Sequence, residues 1–458
     1  MKSVALHNLG CKVNSYELDV MQQYLQNKGY KIVNFNQKAD IYIINTCTVT
    51  NIADRKSRQM LHRAKKQNPD AIVVAVGCYV QTNEAEIEKD DCIDLAIGNN
   101  RKNELVEIIE AYLDKRQSQT PDEQTTASSG KTSGVAPDKT LGHTSVIDIN
   151  AEKEYEEMQL VHTAEHTRAY IKIQDGCNQF CSYCIIPYAR GRVRSRRISD
   201  VREEVVRLAA SGVREIVVTG IHLCSYGRDL GDGEDLVALL GVIHDVSGIE
   251  RIRLGSLEPG SMSEEVIRSL SEMHKVCPHF HLSLQSGCAR TLRDMNRHYT
   301  PEQFMEVVRL LRKYYEHPAI TTDIITGFPG ETDADFEESR KFVTDVHFFE
   351  THIFPYSRRE GTKAAERKDQ NTEAVKKQRG ALLRETDILR RKEFLNYYLG
   401  KPVEVLFEER IEVNGRSYWT GHGREYQKIL LADTRDLTNE MMVVTPQSLV
   451  SGEYLLAV

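Results

Sequence analysis

The stretch 175–191, DGCNQFCSYCIIPYARG, sets Cys177, Cys181 and Cys184 in one short loop. A closed tetrahedral thiolate site takes four ligands, and no fourth cysteine stands nearby. The C-x3-C-x2-C spacing suits a four-iron cluster held through three irons, with the fourth iron open to bind a ligand and pass it an electron. Zinc is the competing metal. Structural zinc sites pair two knuckles and catalytic ones use His or carboxylate ligands, and neither pattern is legible here.

A second set of three lies upstream. LGC, NTC and VGC place Cys11, Cys47 and Cys78 just past three apolar runs, VALHN, IYIIN and AIVVAV. Any one of them could be a small buried packing residue; three at equivalent positions point to a metal site. The other four cysteines, Cys92, Cys224, Cys277 and Cys288, share no such spacing and are expected to pack. Ten cysteines in 458 residues, with −7 net charge and no secretory start in MKSVALHNLG, are expected in a reducing, cytoplasmic setting, where metal or catalytic thiols outrank disulfides. No apolar run is long enough for a bilayer, so no membrane partner is expected.

The elements that must position these thiols follow from periodicity. The three apolar runs alternate with helical stretches at 16–27 and 53–67, the rhythm of a parallel α/β sheet. The carboxyl ends of such strands share one edge, so Cys11, Cys47 and Cys78 can converge there. Between 165 and 370 the strand-like segments are AYIKIQ, EIVVTG, RIRLGS, FHLSLQ, TTDIITG and ETHIFPY, with helical patterns at 199–211, 263–274, 301–315 and 333–345. Six β/α units predict a partial barrel, open on one side, with the cysteine loop on the face where barrel active sites gather. Beyond 395 the short runs PVEVLF, SYWTGHG and KILLA predict a small all-β barrel. The fold class is therefore α/β with a β appendage. The domains expected are 1–113, a flexible linker over 114–160 that has few large apolar residues, 161–394 and 395–458.

GCNQFCSYCIIPYARGRVRSR resembles the cluster loop of radical S-adenosylmethionine enzymes. Together with the upstream triad, the partial barrel and a terminal barrel of the RNA-binding TRAM type, nearly the whole chain resembles the methylthiotransferases. The resemblance implies two 4Fe-4S clusters. Cys177, Cys181 and Cys184 would hold the one that cleaves S-adenosylmethionine to a 5′-deoxyadenosyl radical; Cys11, Cys47 and Cys78 would hold an auxiliary cluster carrying the sulfur to be inserted. An unactivated aromatic C–H bond gives acids and bases no handle, so a cofactor must supply that step. An electron donor and a sulfur donor are implied as partners.

The resemblance also assigns cofactor contacts. Tyr183 takes the position that commonly touches adenine, with core packing as its alternative. Thr219 and Gly220 end the second barrel strand beside the methionine end. Glu258, Gln285 and Asp323 are expected at strand ends on the active face, with turn and capping duty as the alternative; Gly327 and Pro329 suit turn geometry. GCKVNSYE and TGIHLCSYG look most like the subgroup that converts N6-threonylcarbamoyladenosine, beside the anticodon of tRNA, to its 2-methylthio derivative. The alternatives are the subgroup acting on N6-isopentenyladenosine, one acting on a ribosomal-protein aspartate, and an iron–sulfur RNA-binding or redox-sensing protein without turnover.

The net charge gives no global sign of nucleic acid, so contacts to the tRNA anticodon stem-loop must be local. Arg190, Arg192, Arg194, Arg196 and Arg197 follow the cluster loop, and DRKSRQMLHRAKKQ forms a basic helix; both are expected to meet phosphate. In the last domain Lys401, Arg410, Arg416, Arg424 and Lys428 are matched by Glu404, Glu408, Glu409 and Glu412. Tyr418 and Trp419 could stack on bases, although at least one is expected in the barrel core.

Overall fold

The structure, a computed structural model, describes residues 1–118, 144–161, 167–231 and 233–458. It divides into two compact units. The first comprises Met1–Leu160, Asp175–Asn178 and Cys184–Arg194; the second comprises Val161–Gln174, Gln179–Tyr183 and Ser195–Val458.

In the first unit, strands β1 (Ser3–Asn8), β2 (Lys31–Val33), β3 (Ile41–Thr46), β4 (Ile72–Gly77), β5 (Leu95–Ile97) and β6 (Thr144–Ser145) form one sheet. Their order is β2-β1-β3-β4-β5-β6, and every neighbouring pair is parallel. β3 and β4 are buried at every position, as strands covered on both faces must be, which is why they read as unbroken apolar runs. The helix Asn51–Gln67 starts at Thr50, whose Oγ1 accepts from the Ala53 N–H and satisfies one otherwise unpaired donor. Leu61 and Ala64 of that helix pack with Tyr42, Ile44, Val73 and Ala75.

Part of the expected linker is built into this unit. The helix Leu105–Ser118 runs past its start, Thr144–Ser145 adds the sixth strand, and Ile149, Met158 and Leu160 are buried. The sequence 119–143, including most of QSQTPDEQTTASSGKTSGVAPDKT, lies outside the described residues.

The second unit holds two four-stranded sheets. Their strands are β7 (Arg168–Asp175), β8 (Arg194–Ser195), β9 (Glu215–Gly220), β10 (Arg251–Leu254), β11 (Ser256–Leu257), β12 (His279–Leu282), β13 (Ala319–Thr326) and β14 (Glu350–Pro355). The orders are β10-β9-β7-β8 and β11-β12-β13-β14; β10-β9-β7 and the whole second sheet are parallel. All six expected strands are present. The third is broken at Gly255, whose N–H turns to Val218 O on β9, so its halves pair with different sheets. A parallel bridge between Ile252 and Val276 links the two. Helices Ile198–Ala210, Glu264–Glu272, Pro301–Tyr314 and Asp333–Val346 fall where apolar periodicity put them.

The C-terminal strands are β15 (Val403–Val413), β16 (Arg416–Gly423), β17 (Lys428–Leu431), β18 (Met441–Val444), β19 (Pro446–Val450) and β20 (Tyr454–Ala457), ordered β18-β15-β16-β17-β20-β19. One residue, Thr445, joins β18 to β19 at opposite edges of the sheet, so the sheet must curl on itself. Its core of Val405, Phe407, Trp419, Ile429 and Leu455 is continuous with Phe394, Leu395 and Tyr398 at the end of the helix Glu373–Asn396. The change in pattern near 395 therefore marks a change of element within one packed unit.

Arginines of the parallel strands reach the curled sheet. Arg253 donates to both Glu215 carboxylate oxygens, at 2.9 and 3.2 Å, and to Gly423 O and Arg424 O. Arg251 donates to His422 O and to the Glu404 carboxylate and carbonyl, while Arg168 lies 3.7 Å from Glu408. Glu404 and Glu408, which in the sequence only offset the local positive charge, thus face Arg side chains of the central strands. No helix among the described residues is long and apolar enough to cross a membrane.

Candidate active site

In the first unit β1, β3 and β4 are sheet neighbours, and each delivers a cysteine at its carboxyl end. Cys11 is the N-cap residue of the helix Lys12–Asn27, Cys47 follows Thr46, and Cys78 opens the helix Cys78–Thr82. Gly77 makes the last turn possible. Its φ of 97° is left-handed, and a Cβ there would sit 2.6 Å from Asn45 Oδ1. The thiols lie close enough to influence one another's ionisation. Burial raises the Cys11 thiol and pushes Cys47 up to about 12, and the charge of Cys78 adds to both shifts.

A buried polar network surrounds these thiols. Cys11 Sγ donates to Asn14 Oδ1 at 3.4 Å; Cys78 Sγ accepts from Arg190 Nε at 3.3 Å and from Asn99 Nδ2 at 3.5 Å. Arg190 is fully buried, and its guanidinium also reaches Glu17 (2.8 and 3.2 Å), Asp175 (3.1 and 3.2 Å) and Asn14 Oδ1 (3.0 Å). Burial opposes its charge, but Asp175, Cys78 and Glu17 outweigh that and hold its pKa well above the usual arginine value. Lys102, also fully buried, completes the set at 2.9 Å from Glu17 and 2.6 Å from Asn99 Oδ1.

This corrects the expectation of phosphate contact for three arginines. Arg190 and Arg194 are buried, as is Arg196, which pairs with Glu204; only Arg192 and Arg197 of that run are exposed. β8 spans only Arg194–Ser195, and spacing alone does not separate Arg192 from Arg194 and Arg196, since residues two apart in a strand share a face. In the basic helix, Arg63 bonds Asn36 and Lys65 bonds Asp94, leaving Arg55, Lys56 and Lys66 among its exposed cations. In the curled sheet, Trp419 is core, with its Nε1–H donated to Arg435 O, while Tyr418 is half-buried.

Cys177 and Cys184 belong to the first unit and Cys181 to the second. In the first, the Cys177 N–H donates to Gly191 O. In the second, Ser182 is bonded to Asp294 O and Met295 O, and Cys181 Sγ accepts from Arg297 at 3.2 Å. Arg297 in turn pairs with Glu258 at 3.3 Å, and Glu258 with His222 Nε2 at 2.5 Å. Burial would raise the Glu258 carboxyl, yet the His222 hydrogen bond and the Arg297 charge hold it below the usual glutamate value.

The other expected contacts also fall in the second unit. Tyr183 packs edge-on to Phe328, beside Met295, Tyr356 and Ala364. Thr219 and Gly220 end β9, and Gln174 Oε1 accepts from the nearby His222 N–H. Gln285 adopts a left-handed φ of 68° and exchanges backbone hydrogen bonds with β13, an unusual conformation for a non-glycine residue. Asp323 departs from expectation: it lies within β13, short of the strand end, opposite His352 in register and 3.3 Å from His281.

Asn14, Glu17, Lys102, Asp175, His222 and Arg297 were not anticipated. Asn14 and Glu17 had a signal, since they lie three and six residues past Cys11 within GCKVNSYE and share a helix face. Two groups among the described residues pack ligand atoms within 4.8 Å, as for a single ion: His62, Asp90 and Cys92, and His281, Asp323 and His352. Neither cysteine triad is among them. A cubane takes one thiolate per iron and so spreads its ligands wider than a single ion does, and all ten cysteines are free thiols.

Residues 171–343 match the family described as Radical SAM superfamily, and residues 3–98 match the Uncharacterized protein family UPF0004. The threonylcarbamoyladenosine tRNA methylthiotransferase MtaB of Bacillus subtilis is 37% identical over 97% of this chain and 93% of its own length. The protein of the same name from Aquifex aeolicus is 40% identical over 91% and 95%. A tRNA-2-methylthio-N(6)-dimethylallyladenosine synthase of Acetivibrio thermocellus is 34% identical over 92% and 84%. Among solved structures, the radical S-adenosylmethionine methyltransferase TsrM of Kitasatospora setae shares the fold at a TM-score of 0.55 and 18% identity, over 80% of this chain and 74% of that one.

Proposed function

We propose, since the chain belongs to the radical S-adenosylmethionine tRNA methylthiotransferase family, that it installs a methylthio group at C2 of N6-threonylcarbamoyladenosine beside the anticodon of tRNA. The observation that carries this is identity of 37–40% over nearly the full length of two transferases named for that nucleoside. The 34% identity to a dimethylallyladenosine synthase keeps isopentenyladenosine as the second substrate.

Cys177, Cys181 and Cys184 would hold the cluster that binds S-adenosylmethionine, and Cys11, Cys47 and Cys78 the auxiliary one. When bound, these groups supply one-electron cleavage of S-adenosylmethionine and the sulfur that is transferred. The chain's own residues orient and enclose them. Arg297 donates to Cys181 and is held by Glu258, which His222 fixes in turn. Glu258, Thr219, Gly220 and Gln285 are assigned to S-adenosylmethionine, with Tyr183 against its adenine. The two parallel sheets act as a partial (β/α)6 barrel, and the curled C-terminal sheet acts as a TRAM domain. Exposed Arg192, Arg197 and Arg416 are the candidates for contact with the anticodon stem-loop, and separate proteins supply electrons and sulfur.

The test is nucleoside analysis. In a strain lacking this protein, mass spectrometry of tRNA should find threonylcarbamoyladenosine retained, its 2-methylthio form lost, and methylthio-isopentenyladenosine unchanged. Loss of the isopentenyl product alone would transfer the chain to the second substrate.

A further inference from the structure

We infer that Arg190 is a positioning residue for the N-terminal triad, setting the reduction potential of the cluster those cysteines hold; this rests on the two-cluster function proposed above. Its guanidinium has a distinct partner for each face. Nε–H points at Cys78 Sγ (3.3 Å), while the two terminal nitrogens grip Glu17, Asp175 and Asn14. Asn14 Oδ1, which accepts from Arg190, is also the acceptor for Cys11 Sγ. One cation thus touches one triad thiol directly and a second through one amide.

The charges show why an arginine is needed. Glu17 and Asp175 are buried carboxylates, and Arg190 with Lys102 neutralises them. The thiolates add negative charge of their own. Adding an electron to a cluster they hold makes that charge more negative, and a fixed cation donating to a ligand sulfur stabilises the reduced form. Asn99 adds a second, neutral donor to the same sulfur at 3.5 Å and is held by Ala189 O and Lys102. Lysine cannot reproduce this arrangement, because a point charge lacks the planar fork that serves a sulfur, an amide and two carboxylates together.

The test uses the full-length chain with Cys177, Cys181 and Cys184 replaced by alanine, so that a single cluster reports. Anaerobic potentiometric titration followed by electron paramagnetic resonance should show the midpoint moving to more negative potential in Arg190→Lys and further in Arg190→Met, with about four irons retained. An unchanged midpoint with iron retained would overturn the inference. Should an Arg190 variant fail to fold or to take up iron, Asn99→Leu decides, since it removes a donor to Cys78 without stranding a carboxylate. It should give a smaller shift in the same direction, and no shift would again overturn the inference. Absence of iron from the parent, together with a single midpoint in the native chain titrated in parallel, would refute the assignment of a cluster to the N-terminal triad, and the inference would fall with it.

Discussion

Replacing Cys11, Cys47 and Cys78 together by alanine is expected to remove about half of the roughly eight irons that the chain binds after anaerobic reconstitution. It should also abolish methylthiolated tRNA while leaving cleavage of S-adenosylmethionine to 5′-deoxyadenosine in place. Replacing Cys177, Cys181 and Cys184 should remove the other half and stop both reactions. The asymmetry follows from position. One triad occupies three neighbouring strand ends of the first unit, while the other occupies a single loop whose Cys181 is bonded to Arg297 of the second. Iron assay and product chromatography check it. Full iron in the N-terminal mutant, or equal loss of cleavage in both mutants, would contradict this division.

The second large effect is on stability. Glu215 is buried against Arg253, with Arg168 and Arg251 at 3.9 Å. Burial alone would raise its carboxyl, but the three arginines hold it down to about 2. Glu215→Gln leaves buried cations without their shared counter-charge, a loss of about 3–5 kcal/mol for a buried pair stripped of one partner. Denaturant unfolding of the second unit should show this at neutral pH. Because the folded pKa lies below the ordinary value of 4.5, the wild-type advantage is complete above about pH 4.5. It should shrink as pH falls toward 2, where the native carboxylate itself takes up a proton. An advantage that does not change between pH 6 and pH 3 would show that the arginines do not hold the Glu215 carboxyl below its ordinary value.

Much of this architecture was legible because long buried strands and amphipathic helices carry strong periodic signals. β3, β4, β9 and β14 lie within a residue or so of where the apolar runs put them, and the three strand-end cysteines could be grouped from LGC, NTC and VGC alone. Short strands gave no such signal. β2, β5 and β6 have two or three residues each, too few for a period, and β6 fell in a stretch whose polar composition suggested a linker. The arginines were misjudged for a different reason. Composition reports charge but not direction, and Arg190, Arg194 and Arg196 are buried while the intervening Arg192 is exposed. The acids of the curled sheet misled in the same way, since Glu404 and Glu408 are partnered by Arg251 and Arg168 from strands far earlier in the chain. Such long-range pairs leave no local trace, and neither did the His222, Glu258 and Arg297 series beside Cys181.

The measurement that tests the account most directly is an anaerobic assay of the reconstituted full-length chain with S-adenosylmethionine and a strong reductant, offered two tRNAs that differ only in carrying threonylcarbamoyladenosine or isopentenyladenosine beside the anticodon. Digestion and mass spectrometry should find the 2-methylthio derivative of threonylcarbamoyladenosine, with 5′-deoxyadenosine formed alongside it, and no methylthiolated isopentenyladenosine. Methylthiolation of the isopentenyl substrate alone, or bound iron and tRNA with no cleavage of S-adenosylmethionine, would contradict it.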